Sequence, residues 1–195
     1  MLHGIDIASY QSNLINSNPR WLTDYNDFVV IKATEGVNYY FGEFNKYANM
    51  CRASGTPYGL YHYARAEKNR AIAEAMYFLS HCSKNRDAFY ALDVEGESLK
   101  NDNIDEWCRT WLDTVYRLTG IRPLLYASRT EVHRFKQVQE GNYGLWVADW
   151  GTKKVGDISP WKFWAMWQYH VNRELNLDMN MFNGSQEQLR KYCGR

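Results

Sequence analysis

Short runs in which apolar residues crowd together or alternate with polar ones recur along the chain. They are LHGIDI (2–7), FVVIKA (28–33), YGLYHY (58–63), AFYALDVE (88–95), RPLLYA (122–127), GLWVAD (144–149), WAMWQY (164–169) and a shorter LNLDMN (175–180). Their Val, Ile, Phe, Tyr and Trp content and their bounding turn residues predict eight strands. Between the early runs the apolar spacing becomes helical. EFNKYANMCRAS (43–54) closes on Gly55, NRAIAEAMYFLSHC (69–82) follows, and NIDEWCRTWLDTVYRLTG (103–120) ends at Gly120. Strands alternating with helices imply an α/β fold around a parallel sheet. After residue 127 the links shorten and collect Gly141, Gly144, Gly151, Gly156 and Pro160, so the later helices are reduced. The pattern predicts a compact, irregular TIM-like (β/α) barrel of eight strands. Without a repeat of fixed period or a long linker, residues 1–195 are expected to form one domain.

A barrel of this kind carries its active site at the C-terminal ends of its strands. Polar residues fall there repeatedly: Asp6, Lys32 with Glu35, His62, Asp93 with Glu95, Tyr126, Asp149, Gln168 with Tyr169, and Asp178. Any one of them could serve the surface; their shared position across eight segments is the signal. Lys32 is an inward charge on a core strand, suited equally to an ion pair with a mouth carboxylate and to substrate contact. His62 reads more readily as a hydrogen-bonded wall residue than as a base.

The sharpest stretch is ALDVEG, residues 91–96. At a strand end, residues two apart share a face, which sets the Cα atoms of Asp93 and Glu95 about 6.5 Å apart. Two close carboxylates repel when both are ionised, so one keeps its proton. Glycosidic hydrolysis needs such a proton for the leaving oxygen and a negative group for the oxocarbenium-like centre. Glu95, longer by a methylene, would be the acid. Asp93 would stay near the sugar ring, either as covalent nucleophile or, where the sugar carries a 2-acetamido group, as the favoured support for that group as internal nucleophile. Asp6 and Asp178, on the first and last strands, would adjoin in a closed barrel and add negative potential.

Composition narrows the remaining classes. Lys and Arg number 23 against 22 Asp and Glu, so no net positive excess is there to hold nucleic acid, while a local basic patch stays open. No apolar run reaches membrane-spanning length, and no signal-peptide pattern opens the chain, so synthesis in a cytoplasm without membrane insertion is expected. Cys51, Cys82, Cys108 and Cys193 form neither CxxC pairs nor a zinc-spaced cluster; free, mostly buried thiols and no metal are expected. The chain holds 8 Trp and 15 Tyr. Part of this surplus, Tyr61, Tyr63 and Trp146 among it, suits a groove that stacks sugar rings.

GIDIASYQ, FVVIKATEG, YGLYHYAR, ALDVEG, PLLYAS, LWVADW, WAMWQY and LDMNMF, in that order, resemble glycoside hydrolase family 25, the phage and bacterial N-acetylmuramidases. The likeness runs from about residue 3 to 182. It implies a flattened (β/α) barrel that cleaves the β-1,4 bond between N-acetylmuramic acid and N-acetylglucosamine in peptidoglycan without a cofactor. It matches Glu95 to the proton donor, Asp93 to the other acid of the pair, and Asp6 and Asp178 to two further acidic residues. Many relatives append wall-binding repeats that this sequence does not show, so a single catalytic domain acting as a monomer is expected, in the manner of a phage endolysin released through a separate holin-type pore. The segment SNLINSN after SYQ departs from the family pattern, so one edge of the groove is expected to differ. Two other readings compete. A chitinase-type barrel would need Asp where the chain has Ala88 and Ala91, and a catalytically inactive wall-binding barrel would have no use for an intact acid pair.

Overall fold

The computed structural model describes residues 1–194. Its strands are β1 (Leu2–Ile7), β2 (Phe28–Glu35), β3 (Tyr39–Tyr40), β4 (Tyr58–Tyr63), β5 (Phe89–Asp93), β6 (Leu124–Ser128), β7 (Gly144–Ala148), β8 (Met166–Asn172) and β9 (Leu177–Phe182). The helices are α1 (Ser12–Ser17), α2 (Arg20–Thr23), α3 (Phe44–Ser54), α4 (Ala71–Cys82), α5 (Ile104–Thr119), α6 (Lys136–Glu140) and α7 (Gln186–Arg190). Strands β2, β4, β5, β6, β7 and β8 pair in parallel, each with the next. β9 then runs antiparallel to both β8 and β1, and β1 returns parallel to β2, closing eight strands into a barrel.

The expected eight strands and three long helices are present. Two expectations change. The sheet is mixed rather than all parallel, because β8 and β9 are joined by a short turn, and a short turn reverses the chain whereas a parallel return needs a crossover. Asp178 therefore lies near the start of β9, not at a strand end. Since β9 runs backwards, its start is at the same mouth, and the register sets Asp178 opposite Asp6. The hairpin strand β3, paired on β2, and the short helices α1, α2, α6 and α7 were not expected.

Strand alternation sorts the apolar residues into two layers. One face packs against the helices: Ile5, Ile31, Leu60, Leu92, Leu125 and Val147 meet Phe44, Phe78, Trp111 and Leu112. The other fills the barrel with Phe28, Val30, Phe89, Leu124, Met166 and Phe182, and Leu189 of α7 joins this inner cluster. Large inner residues are matched by glycines in register, Gly4 beside Phe28 and Gly59 beside Phe89. A β-carbon at Gly59 would run into the Phe89 ring. The cysteines are free, with Cys51, Cys82 and Cys108 buried and Cys193 partly so.

Gly59→Val should therefore overpack the barrel and cost about 3 kcal/mol of stability, read as a lower denaturant midpoint with an unchanged m-value. A midpoint equal to the parent's would show that the lumen is not close-packed there.

Candidate active site

The mouth of the barrel is a cleft of two lobes. One encloses about 410 Å³ and is walled by Tyr10, Lys32, Glu35, Tyr63 and Arg65. The other encloses about 330 Å³ and is walled by Tyr126, Trp146, Trp150, Gln168 and Val171. Asp6, Tyr61, Asp93, Glu95 and Asp178 line both lobes, so the four carboxylates stand where the lobes meet. One lobe is charged and the other aromatic and amide-lined.

Asp93 ends β5 in register with Tyr63 of β4 and Tyr126 of β6. Glu95 follows in extended conformation, with φ −153° and ψ −179°, which keeps both acids on the inner face while Val94 between them is buried among the outer apolar residues. Gly96 then turns at φ +57°, a region open to glycine, and a β-carbon there would meet the Tyr63 hydroxyl at 3.2 Å. The glycine of ALDVEG thus turns the chain away just after the acid.

Burial dominates the electrostatics. It raises the Glu95 carboxyl above its ordinary range; Lys32 opposes the shift, Asp178 adds to it, and the Tyr63 hydroxyl lowers it. Asp93 is pushed well up by burial and then by Glu95, against the pull of Lys32. Asp6 is raised to about 7, first by burial and then by Asp178, and Asp178 is raised by burial. Asp6 is held by two amides, since Gln168 Nε2 and Asn180 Nδ2 donate to Asp6 Oδ2 at 2.8 and 2.7 Å. Those amides are held in turn: Tyr126 OH and Trp150 Nε1 donate to Gln168 Oε1 at 3.0 and 2.9 Å, and Trp146 Nε1 donates to Asn180 Oδ1 at 2.8 Å. Asp93 Oδ1, by contrast, is buried with no hydrogen-bond partner among the described residues.

Lys32 donates to Glu35 Oε2 at 2.7 Å, and Arg65 pairs with Glu35 Oε1 at 3.0 Å. The Lys32 ammonium also lies 4.5 Å from the Tyr63 ring centroid. Lys32 and Glu35 are three apart yet face one lobe because a register shift between Lys32 and Thr34 adds a residue to β2. A second shift, between Gln168 and His170, does the same for Gln168 and Val171 on β8.

Of the expected site residues, Asp6, Lys32, Glu35, Tyr61, Tyr63, Asp93, Glu95, Tyr126, Trp146, Gln168 and Asp178 meet at the cleft. His62, Asp149 and Tyr169 do not. His62 alternates outward between Tyr61 and Tyr63, is fully buried, and stacks on Trp111. Its Nδ1 and Nε2 lie 2.7 Å from Thr34 Oγ1 and 2.8 Å from Glu74 Oε2. Glu74 also accepts from the Arg65 backbone N–H and from Asn69 Nδ2, so this buried group fixes the loop that presents Arg65. Asp149 accepts from the Gly156 N–H at 3.0 Å and pairs with Arg129 at 3.1 Å, pinning the loop that begins with Trp150. Tyr169 packs outside the barrel against Trp167 and His3. Tyr10, Arg65, Trp150, Asn180 and Val171 were missed. Tyr10 and Trp150 are 82% and 57% exposed, and such exposed aromatics beside a cleft had no strand pattern to reveal them.

Asp6 gives a pH signature. Its folded pKa of about 7 lies above the ordinary aspartate value of 3.8, so between those values the unfolded chain is ionised while the fold retains the proton. Stability is then full below about pH 4 and falls as pH rises towards 7. Asp6→Asn should leave the melting temperature nearly unchanged at pH 4 and raise it at pH 8. Equal shifts at both pH values would contradict a raised carboxyl.

The profile described as Glycosyl hydrolases family 25 matches residues 5–176. The uncharacterized protein YegX of Escherichia coli O157:H7 is 28% identical, with 98% of this chain and 73% of that protein covered. The N,O-diacetylmuramidase of a Chalaropsis species is 27% identical over 97% of this chain and 98% of its own. The catalytic domain of endolysin ply40, from bacteriophage P40 of Listeria monocytogenes, superposes with a TM-score of 0.73 at 29% identity, covering 98% of this chain and 97% of that one. With the family profile spanning most of a barrel whose mouth gathers four carboxylates, the chain belongs to glycosyl hydrolases family 25.

Proposed function

We propose that the protein is a muramidase that hydrolyses the β-1,4 bond between N-acetylmuramic acid and N-acetylglucosamine in bacterial peptidoglycan. The observation that carries this reading is the pairing of Glu95 and Asp93 where the two lobes meet, with saccharide-sized space on either side. A glycan strand lying across both lobes brings one glycosidic oxygen to that point.

Glu95 is the general acid. Its raised pKa keeps the proton available, and it donates that proton to the glycosidic oxygen as the C1–O bond breaks. The carbonyl oxygen of the 2-acetamido group attacks C1 from within the sugar, forming a cyclic intermediate. Asp93 Oδ1, buried and unpartnered in the protein alone, is available to accept the acetamido N–H, which orients the group and stabilises the charge it gains. Water then attacks C1, Glu95 recovers a proton from it, and the acetamido carbonyl leaves, with net retention. Asp178, and Asp6 once it has lost its proton, stabilise positive charge developing at the ring. Tyr126, Trp146 and Trp150 offer ring faces on one side; Lys32, Glu35, Tyr63 and Arg65 offer charged and polar contacts on the other. One barrel carries every group named, so a monomer suffices and no cofactor enters the chemistry. Likeness to an endolysin catalytic domain supports action on the bacterial cell wall, and release during phage lysis through a separate pore belongs to the same proposal.

Glu95→Gln should retain the fold and wall binding and lose about a hundredfold or more in turnover. The readout is digestion of purified peptidoglycan, borohydride reduction and mass spectrometry, in which reduced muramic acid marks the new ends. Near-parental turnover by the variant would remove Glu95 from the role of acid. Asp93→Asn should be nearly as damaging, and no covalent glycosyl-enzyme should accumulate; a glycosyl group trapped on Asp93 would replace acetamido participation with the two-carboxylate retaining route. Because its acid must be protonated, the parent's kcat/KM should fall as pH rises through the raised Glu95 pKa, measured on a soluble glycan.

A further inference from the structure

A cavity larger than either lobe of the cleft opens at the opposite end of the barrel. It encloses about 710 Å³ where β6, β7 and β8 begin, beside the C-terminal end of α5 and the segment after α7. Three cations line it, Arg122, Lys162 and Lys191; Lys191 pairs with Glu187 at 3.3 Å on the rim, and no carboxylate lines the cavity itself. Between the cations the wall is aromatic, with Trp161, Phe163 and Tyr192. Phe163 is 72% exposed, a large apolar surface left in water beside a positive field.

Arg122 is the fixed point. Its guanidinium carbon lies 4.1 Å from the Tyr116 ring centroid and 5.2 Å from that of Tyr143, so two ring faces hold it. Nη1 donates to the Gly141 carbonyl at 2.9 Å, which occupies one of five N–H donors. Asp113 of α5 is engaged by Arg109 at 2.8 Å and by the Tyr143 hydroxyl. Among the described residues no carboxylate pairs with Arg122. A half-buried guanidinium, oriented by rings and lacking a counter-ion, is prepared for an external carboxylate or phosphate, either of which it can grip through two parallel N–H bonds.

We infer that this basal cavity is a second peptidoglycan site, which takes the carboxylate-bearing peptide stem. The inference rests on the muramidase reading for its choice of polymer. The spacing of groups favours a peptide over a phosphodiester chain. The cations are separated by aromatic surface, which suits a ligand whose anionic ends are joined by methyl-bearing residues; a polyol phosphate is polar throughout. Arg122 takes the stem carboxylate, Lys162 and Lys191 sit at the rim, and Trp161 and Phe163 cover the alanine methyls. A sacculus offers many stems close together, so a barrel held at its base has its mouth kept near glycan by effective concentration. The site then raises affinity for the insoluble wall and leaves hydrolysis of a peptide-free oligosaccharide untouched.

The test uses the full chain carrying Glu95→Gln, so that binding is measured without digestion. Depletion from solution by intact sacculi is compared for this protein, for the same protein with Arg122→Gln and Lys162→Gln, and for the same protein with Lys162→Glu alone, an exposed change that leaves the fold intact. The double variant should bind at least tenfold more weakly, with Lys162→Glu in the same direction. Stem peptide released by an amidase should compete with intact sacculi for the Glu95→Gln protein and leave binding of the double variant unchanged. Removal of phosphodiester polymers by hydrofluoric acid should change nothing. In the active background the double variant should cleave a peptide-free glycan at the parental rate. Undiminished binding by both variants, or loss on phosphodiester removal with no competition by stem peptide, overturns the inference. Failure of the parent to release reduced muramic ends would instead overturn the muramidase reading, which these binding data do not touch.

Discussion

Gathering four carboxylates in a partly dry barrel mouth is the constraint around which the rest of the molecule is arranged. Each acid loses hydration, and each resists the ionisation of its neighbours. Folding meets that cost in different ways at each group. Asp6 receives two amide N–H donors, from Gln168 and Asn180, and these amides are held by Tyr126, Trp150 and Trp146. Glu95 and Asp93 feel the Lys32 ammonium. What is left uncompensated is Asp93 Oδ1, and an unmet acceptor in an otherwise satisfied network is where a substrate donor gains most. The aromatic walls of the second lobe therefore do more than shape it, since three of their polar tips support the amides that hold Asp6.

Two irregularities in strand pairing make this arrangement fit on a barrel. Regular alternation places every second residue inside, which would send either Lys32 or Glu35 to the helices. The shift between Lys32 and Thr34 turns both inward while Thr34 points outward to His62. The matching shift on β8 brings Gln168 and Val171 into the cleft and leaves Tyr169 outside. Bulges at a barrel rim re-aim side chains in this way without altering the strands below. Below them the interior is apolar, with Phe28 and Phe89 fitted against glycines, so the polar rim stands on a rigid floor.

Much of this was legible in the sequence because a strand buried on both faces is written as an apolar run, and a charge within such a run is conspicuous. Asp6, Asp93, Glu95 and Lys32 stand out for that reason, and the eight runs fall on the eight barrel strands to within two residues at most ends. The sense of β9 was not legible, since alternation fixes a face and not a direction. His62 was legible as a hydrogen-bonded wall residue, and strand alternation turns it away from Tyr61 and Tyr63 towards Thr34 and Glu74. Asp149 was misplaced because a carboxylate at a strand end can equally pin a loop, and here it ties Trp150 in place through Gly156 and Arg129. Asn180 and Trp150 escaped notice because neither interrupts an apolar pattern; their importance lies in hydrogen bonds that only the closed barrel creates.

The two ends of the barrel differ in a way that follows from the same physics. At the mouth, negative groups are crowded until they hold protons, and cations are brought in to limit the crowding. At the base, cations are spread over aromatic surface, and Arg122 stands without an acid partner among the described residues. Each end therefore carries an unmet electrostatic demand of opposite sign, a buried acceptor at one and an oriented donor at the other. An acetamido-bearing glycan answers the first and its carboxylate-bearing peptide answers the second. One polymer contains both, so charge placement at either end of a single barrel is consistent with a surface built to meet an extended wall instead of an isolated saccharide.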